Sequence, residues 1–155
     1  MDRTVMTALR PKDFPHQTPM TSRWTDNDMY GHLNNSVYFQ YFDSTINRFL
    51  LREAGTDPMG GGVRNVVAES GCTFLKEAHY PNDFTIGLRV EHIGRTSAVY
   101  RLALFSFPDG SEPVLHAVGR WVHVFVGSES GAPTAIPSTT RQALQSIATN
   151  QGAER

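Results

Sequence analysis

Between Ser36 and Ala54 the chain reads SVYFQYFDSTINRFLLREA, with no Gly or Pro, and Tyr38, Phe42, Ile46, Phe49, Leu50 and Glu53 recur at helical spacing. That pattern predicts one long helix. Asn35 or Ser36 can cap its start, and Gly55 can end it with Pro58 just beyond. Its apolar residues cover more than one stripe, so the helix should be enclosed over much of its surface. After the flexible GTDPMGGG the rhythm changes to period two. VRNVVAESGCTFLKEA reads as a strand, and DFTIGLRVEHI puts Phe84, Ile86, Leu88 and Val90 on one face and Asp83, Thr85, Arg89 and Glu91 on the other. TSAVYRLALFSF and PVLHAVGRWVHVFV follow as two more strands, joined at PDGSE. A further strand precedes the helix and ends near Trp24. Residues from 1 to about 16 form an arm, and residues from about 128 to 155 form a linker, a short capped helix at PSTTRQALQSIA and a tail.

One strand, one apolar helix and a meander of about four strands imply an α+β layer: a curved antiparallel sheet around one helix. Such a sheet leaves its other face and one edge open, so a second copy of the chain is expected. At 155 residues the chain fits a single domain. A net charge of −1 gives no overall field toward nucleic acid or an anionic membrane. The one cysteine, Cys72, allows neither an internal disulfide nor a cysteine-based zinc motif. There is no apolar run of membrane-spanning length, and the first residues lack a continuous signal-peptide core. A cytoplasmic setting is expected.

The densest candidate chemistry is RWTDNDMYGHLNNSVYFQYFD, Arg23 to Asp43. Asp26, Asn27, Asp28, His32, Asn34 and Asn35 crowd in front of the long helix. Its first amides lack intrahelical partners, and the macrodipole there is positive. Such an end can hold a developing oxyanion, and Gly31 allows close backbone approach. A carboxylate facing that end, such as Asp28, is the minimum equipment for hydrolysing an activated acyl group. The competing reading makes these residues turn and cap formers, and it suits Asp26, Asn27 and one of the asparagines. For Asp28 and His32 the residue chemistry leaves both readings open.

Other constellations are weaker. No two of the six histidines form an i, i+4 pair. His116 and His123 would point to opposite faces of an unbulged strand, although Gly119 could introduce a bulge. GGG at Gly60 to Gly62 lacks the Lys-Ser/Thr of a P-loop, and Cys72 reads as a packed residue. No metal and no cofactor is expected.

The Arg23–Asp43 stretch resembles the N-terminal motif of hotdog-fold acyl-CoA thioesterases of the 4-hydroxybenzoyl-CoA thioesterase type. Arg23, Asp26, Asp28, Gly31, His32, Asn34, Asn35, Tyr38 and Asp43 carry the match, and the strand order extends it over roughly residues 17–126. The resemblance implies hydrolysis of an acyl-CoA to free acid and CoA. Asp28 would be the catalytic nucleophile or general base, and the Asn35 backbone amide would polarise the thioester carbonyl. Gly31 and His32 would shape the pocket. It further implies a homodimer or homotetramer with the active site at the dimer interface. The partner's EHIGRTSAVY segment would then meet CoA, through Arg95 at a phosphate and Thr96 or Ser97 near the pantetheine or the attacking water. An ordinary turn arginine is the competing account of Arg95, and Lys76 and Arg89 are weaker phosphate candidates. Two alternatives remain: a hotdog dehydratase or hydratase with His32 as base, which LNNSVYF after His32 disfavours, and a non-catalytic acyl-CoA-binding module. The acyl group itself is not legible.

Overall fold

The structure, a computed structural model, describes residues 1–149. Five antiparallel strands form one sheet: β1 (His16–Thr21), β2 (Val63–Phe74), β3 (Asp83–Ile93), β4 (Ser97–Ser106) and β5 (Val114–Gly127), in spatial order β1-β3-β4-β5-β2. Three helices accompany them: α1 (Arg3–Thr7), α2 (Asn35–Arg52) and α3 (Ser138–Ser146). Bulges between Val67 and Glu69, Val90 and His92, and opposite Leu104/Phe105 bend the sheet. This is the α+β hotdog arrangement expected from the sequence, with α2 as its filling. No helix among the described residues is long and apolar enough to cross a membrane. Residues 150–155 of the expected tail lie outside the described residues.

The helical period does the work anticipated for it. Tyr41, Phe42, Ile46, Phe49 and Leu50 of α2 are buried against Phe84, Ile86, Leu88, Val90, Leu102 and Leu104 of the sheet. Gly119 on β5 is required there, because a Cβ would lie 2.7 Å from the Phe42 ring.

Several boundaries differ from expectation. The first strand stops at Thr21 rather than near Trp24, because Arg23 and Asp26 bond each other and close a 3₁₀ turn over Trp24–Asp26. β2 ends at Phe74: the Leu75 and Lys76 amides both turn to the His116 carbonyl and leave the ladder. The bulge on β5 falls at His116, not Gly119, since Leu104 pairs with Ala117 and Phe105 with Leu115. The outer sheet face is also less open than expected. Leu9 and Phe14 of the N-terminal arm are buried against Ala103, Phe105 and Val118.

Candidate active site

Between β1 and α2 the chain makes two successive turns, each built on an aspartate. The first buries Asp26, 1% exposed. Its carboxylate accepts from the Arg23 amide (2.7 Å), the Arg23 guanidinium (2.9 Å) and the Tyr41 hydroxyl (2.6 Å). Burial alone would raise this carboxyl, but the bonds from Tyr41 and Arg23 outweigh it and hold Asp26 below the usual carboxylate range. The reciprocal effect, after burial, pushes the Tyr41 phenol well up. Asp26 therefore has its acceptor capacity taken by structure. Asn27 is likewise engaged, its Oδ1 accepting from the Tyr80 amide (3.0 Å).

The second turn leaves Asp28 half-buried with a single side-chain bond, Oδ1 accepting from the Tyr30 amide (2.9 Å). The Asp28 amide donates to the His32 carbonyl (2.8 Å) and the Gly31 amide to the Asp28 carbonyl (3.1 Å), closing a loop in which Gly31 takes φ +79°. The chain then re-enters the fold through Leu33, whose amide donates to Ala78 O (2.7 Å). The helix cap is Asn34, not Asn35 or Ser36: Asn34 Oδ1 accepts from the Ser36 amide (3.0 Å) and hydroxyl (2.8 Å). With the cap one residue earlier, Asn35 becomes the first helical residue, and its amide has no acceptor within the described residues. A free helix-end donor thus stands one loop away from a carboxylate whose second oxygen is also uncommitted.

Asp28, His32 and Asn35 line one groove of about 330 Å³ with Leu33, Tyr38, Phe74, Leu75, Lys76 and Glu77. Gly31 lies in the loop between Asp28 and His32 but does not line the groove. His32 Nε2 lies 3.1 Å from Glu77 Oε2, with the imidazole 41% and the carboxylate 75% exposed. Glu77 went unnoticed in the sequence because nothing local links it to His32; only the turn after β2 brings them together. Burial pushes the Tyr38 phenol up to about 12, so this wall is neutral. Burial does the same to the Cys72 thiol, also to about 12, which suits a packed residue rather than a nucleophile.

Arg95, Thr96 and Ser97 lie elsewhere in the chain, at the β3–β4 turn. Ser97 pairs with Val124 of β5, whereas Phe74 at the groove pairs with Ala117. Seven residues of strand separate those levels, ~23 Å. Within one chain these three residues do not meet Asp28. Arg89 is also engaged elsewhere, paired with Glu91 (3.3 Å) and stacked over Phe14. His116 and His123 are seven positions apart on β5, too far to share a metal, and among the described residues no group of three His, Cys, Asp or Glu side chains is gathered to hold one.

With this geometry in view, likeness to known proteins is informative. Residues 22–144 match the Thioesterase-like superfamily, a span that includes both aspartate turns, α2 and the whole of β2 to β5. The chain belongs to the thioesterase-like superfamily. No match stands among curated proteins. Among solved structures, the PA5185 protein from Pseudomonas aeruginosa strain PAO1 is 38% identical, with TM-score 0.84 over 90% of this chain and 96% of that one. A predicted thioesterase from Bacillus stearothermophilus is 25% identical, with TM-score 0.74 over 88% and 98%. An aspartate-to-asparagine mutant of 4-hydroxybenzoyl CoA thioesterase, complexed with 4-hydroxybenzoyl CoA, shares the fold at 16% identity and TM-score 0.73 over 83% and 97%. Superfamily membership supports a thioesterase activity in general terms.

Proposed function

We propose that the protein is a cytoplasmic, single-domain acyl-CoA thioesterase, hydrolysing an acyl-CoA to the free acid and CoA. One observation carries the reading: the Asp28 carboxylate, its Oδ2 free of protein hydrogen bonds, lines the same groove as the unpartnered Asn35 amide at the head of α2. With the thioester oxygen on that amide, the macrodipole and the N–H stabilise the charge that develops as the carbonyl carbon becomes tetrahedral. Asp28 then acts in one of two ways. As a general base it takes a proton from water while the water oxygen attacks. As a nucleophile its oxygen forms a mixed anhydride that water opens in a second step. In both, the C–S bond breaks, CoA leaves as a thiolate that takes up a proton, and the acid is released. The His32–Glu77 pair at the groove edge holds the imidazole in place.

The active assembly is a homodimer or a tetramer of such dimers. β2 is an edge strand of twelve residues, none of them buried, with Val67 49% and Phe74 40% exposed. Antiparallel pairing of two β2 edges would bring the partner's β3–β4 turn toward the groove, so that Arg95 meets a CoA phosphate and Thr96 or Ser97 the pantetheine. The test is release of free thiol from a panel of acyl-CoAs. Turnover with at least one of them is expected; tight binding with no thiol released would make the protein an acyl-CoA-binding module instead.

A further inference from the structure

The groove at Asp28 does not end at its rim. Leu75 and Lys76, which line it, also line a larger trough of about 470 Å³ together with Thr7, Arg10, Glu112 and Leu115. Its floor lies on the outer side of the sheet, where Leu75 and Leu115 pack against the cluster of Leu9, Phe14 and Phe105. Two residues of chain thus belong to both cavities, and a ligand held at Asp28 can pass over them into the trough.

The chemistry differs on the two sides of that rim. The groove offers Leu33, Tyr38 and Phe74 as apolar walls, suited to an acyl group. The trough sets two cations, Lys76 and Arg10, against one acid, Glu112. Neither cation has an ion-pair partner among the described residues. Both are anchored. Arg10 Nη1 donates to the Thr7 carbonyl (3.1 Å) and the Leu9 carbonyl (3.0 Å), which leaves the other guanidinium nitrogens for a ligand. Leu9 beside it is buried and pins the arm to the sheet. The Lys76 amide donates to the His116 carbonyl (3.1 Å). The buried His116 ring, 2.7 Å from Ser106 Oγ, holds Nδ1 3.3 Å from the Lys76 carbonyl and 2.8 Å from that of Glu77. The backbone from which the lysine reaches is therefore fixed, and the Glu77 carboxylate is engaged 3.1 Å from His32 rather than on Lys76.

We propose that the trough is the diphosphate subsite for CoA, with Lys76 and Arg10, from the same chain as Asp28, holding its phosphate oxygens. The proposal rests on the thioesterase reading above. With the thioester carbonyl at the Asn35 amide, the acyl group and CoA must leave in different directions, and the cations mark the second. Pantetheine, a thin flexible thread, crosses over Leu75 and Lys76, and the diphosphate is the first charged group beyond it. Arg10 presents a planar fork of donors that matches phosphate oxygens, and Lys76 a compact point charge. CoA also carries a 3′-phosphate on its ribose, which is the one left to Arg95 of the partner subunit. The N-terminal arm thereby binds substrate as well as covering the sheet.

The experiment compares two thioesters of one acid: the acyl-CoA that the native protein turns over fastest, and the matching acyl-pantetheine, which carries no phosphate. Arg10→Gln and Lys76→Gln should each lower the ratio of the two kcat/KM values roughly tenfold, the effect of one lost charge-assisted bond. The change should fall mainly on KM for the CoA ester, because the contact is the same in ground and transition states. The same loss should appear with the dephospho-CoA ester, which keeps the diphosphate and lacks the 3′-phosphate. A ratio that either variant leaves unchanged, or a loss that vanishes with the dephospho-CoA ester, would overturn the proposal. Should no acyl-CoA release thiol, the thioesterase reading fails, and calorimetric binding of CoA decides this proposal separately. Affinity roughly tenfold lower in both variants supports it; equal affinity, or no binding to the native protein, contradicts it.

Discussion

Along the flank of α2 that packs on the inner face of the sheet, Tyr41, Phe42, Ile46 and Phe49 are no more than 4% exposed. Along the flank that faces β2, Phe39, Asp43 and Asn47 are only half-buried. The first flank meets Phe84, Ile86 and Leu88, all no more than 2% exposed. Toward β2 there are two separate pockets, the groove at Asp28, Asn35 and Phe74 near the head of the helix and a cavity at Asn47, Leu51 and Asn65 near its end. One helix therefore serves two purposes: its dry flank holds the fold, and its open flank, headed by the Asn35 amide, leaves room for a substrate. The same division separates the two aspartates in front of it. Asp26 is tied to the dry flank through Tyr41, and Asp28 lines the groove.

The largest effect should come from the dry flank. Phe42→Ala removes a fully buried ring from the centre of the core and should lower stability by ~3–5 kcal/mol in urea denaturation. A loss below ~1 kcal/mol would mean that this flank is not the continuous core described.

Next comes His123, fully buried in β5, where burial lowers the imidazole from 6.5 to about 4. The folded value lies below the unfolded one, so on acidification the unfolded chain takes up its proton first. Stability should fall as pH drops from ~6.5 toward ~4, by up to ~3 kcal/mol from this group. Burial lowers His16 and His116 as well, so they act in the same direction. His123→Gln should flatten that part of the pH–stability curve, and an unchanged slope would remove His123 as its source.

Asp26→Asn comes third. A single lost turn bond would cost about 1 kcal/mol. Three donors converge on this carboxylate, and an amide cannot accept at both positions, so the loss should be nearer ~2 kcal/mol. The Arg23 side chain is 66% exposed, which keeps the ion pair itself a small part of that figure. Thermal melts of the variant measure it, and turnover per folded molecule should be retained.

The smallest effect is expected on the open flank. Asn47→Ala should change stability by less than ~0.5 kcal/mol, because it removes only a half-buried side chain and one bond to the Asp43 carbonyl. A loss as large as that of Phe42→Ala would erase the contrast between the flanks.

How much of this was legible in the sequence follows the same division. Strict alternation placed β3 at residues 83–93, where it is found, and the period of α2 located the dry flank to within two residues. The cap was not readable, since Asn34, Asn35 and Ser36 are all competent, and only the Asn34 bonds to Ser36 choose among them. Leu9 and Phe14 gave no sign of their burial, because isolated apolar residues in an aperiodic arm carry no period. The motif pointed to Asp28, His32 and Asn35, which the structure gathers in one groove. The Asn65–His123 contact was hidden, because the two residues lie 58 positions apart and meet only through the pairing of β2 with β5.

The measurement closest to the central claim is thiol release by Asp28→Asn, made beside binding of a non-hydrolysable CoA analogue. Asparagine keeps the Oδ1 bond to the Tyr30 amide and removes the oxygen that would attack or take the proton. The rate should fall by ~10²–10⁴ while analogue affinity is retained, as expected for a positioned base or nucleophile. If the variant turns over at nearly the native rate while Asp26→Asn is inactive, the two carboxylates have been assigned the wrong way round. If both variants stay active, a carboxylate-driven thioesterase is not what this groove performs.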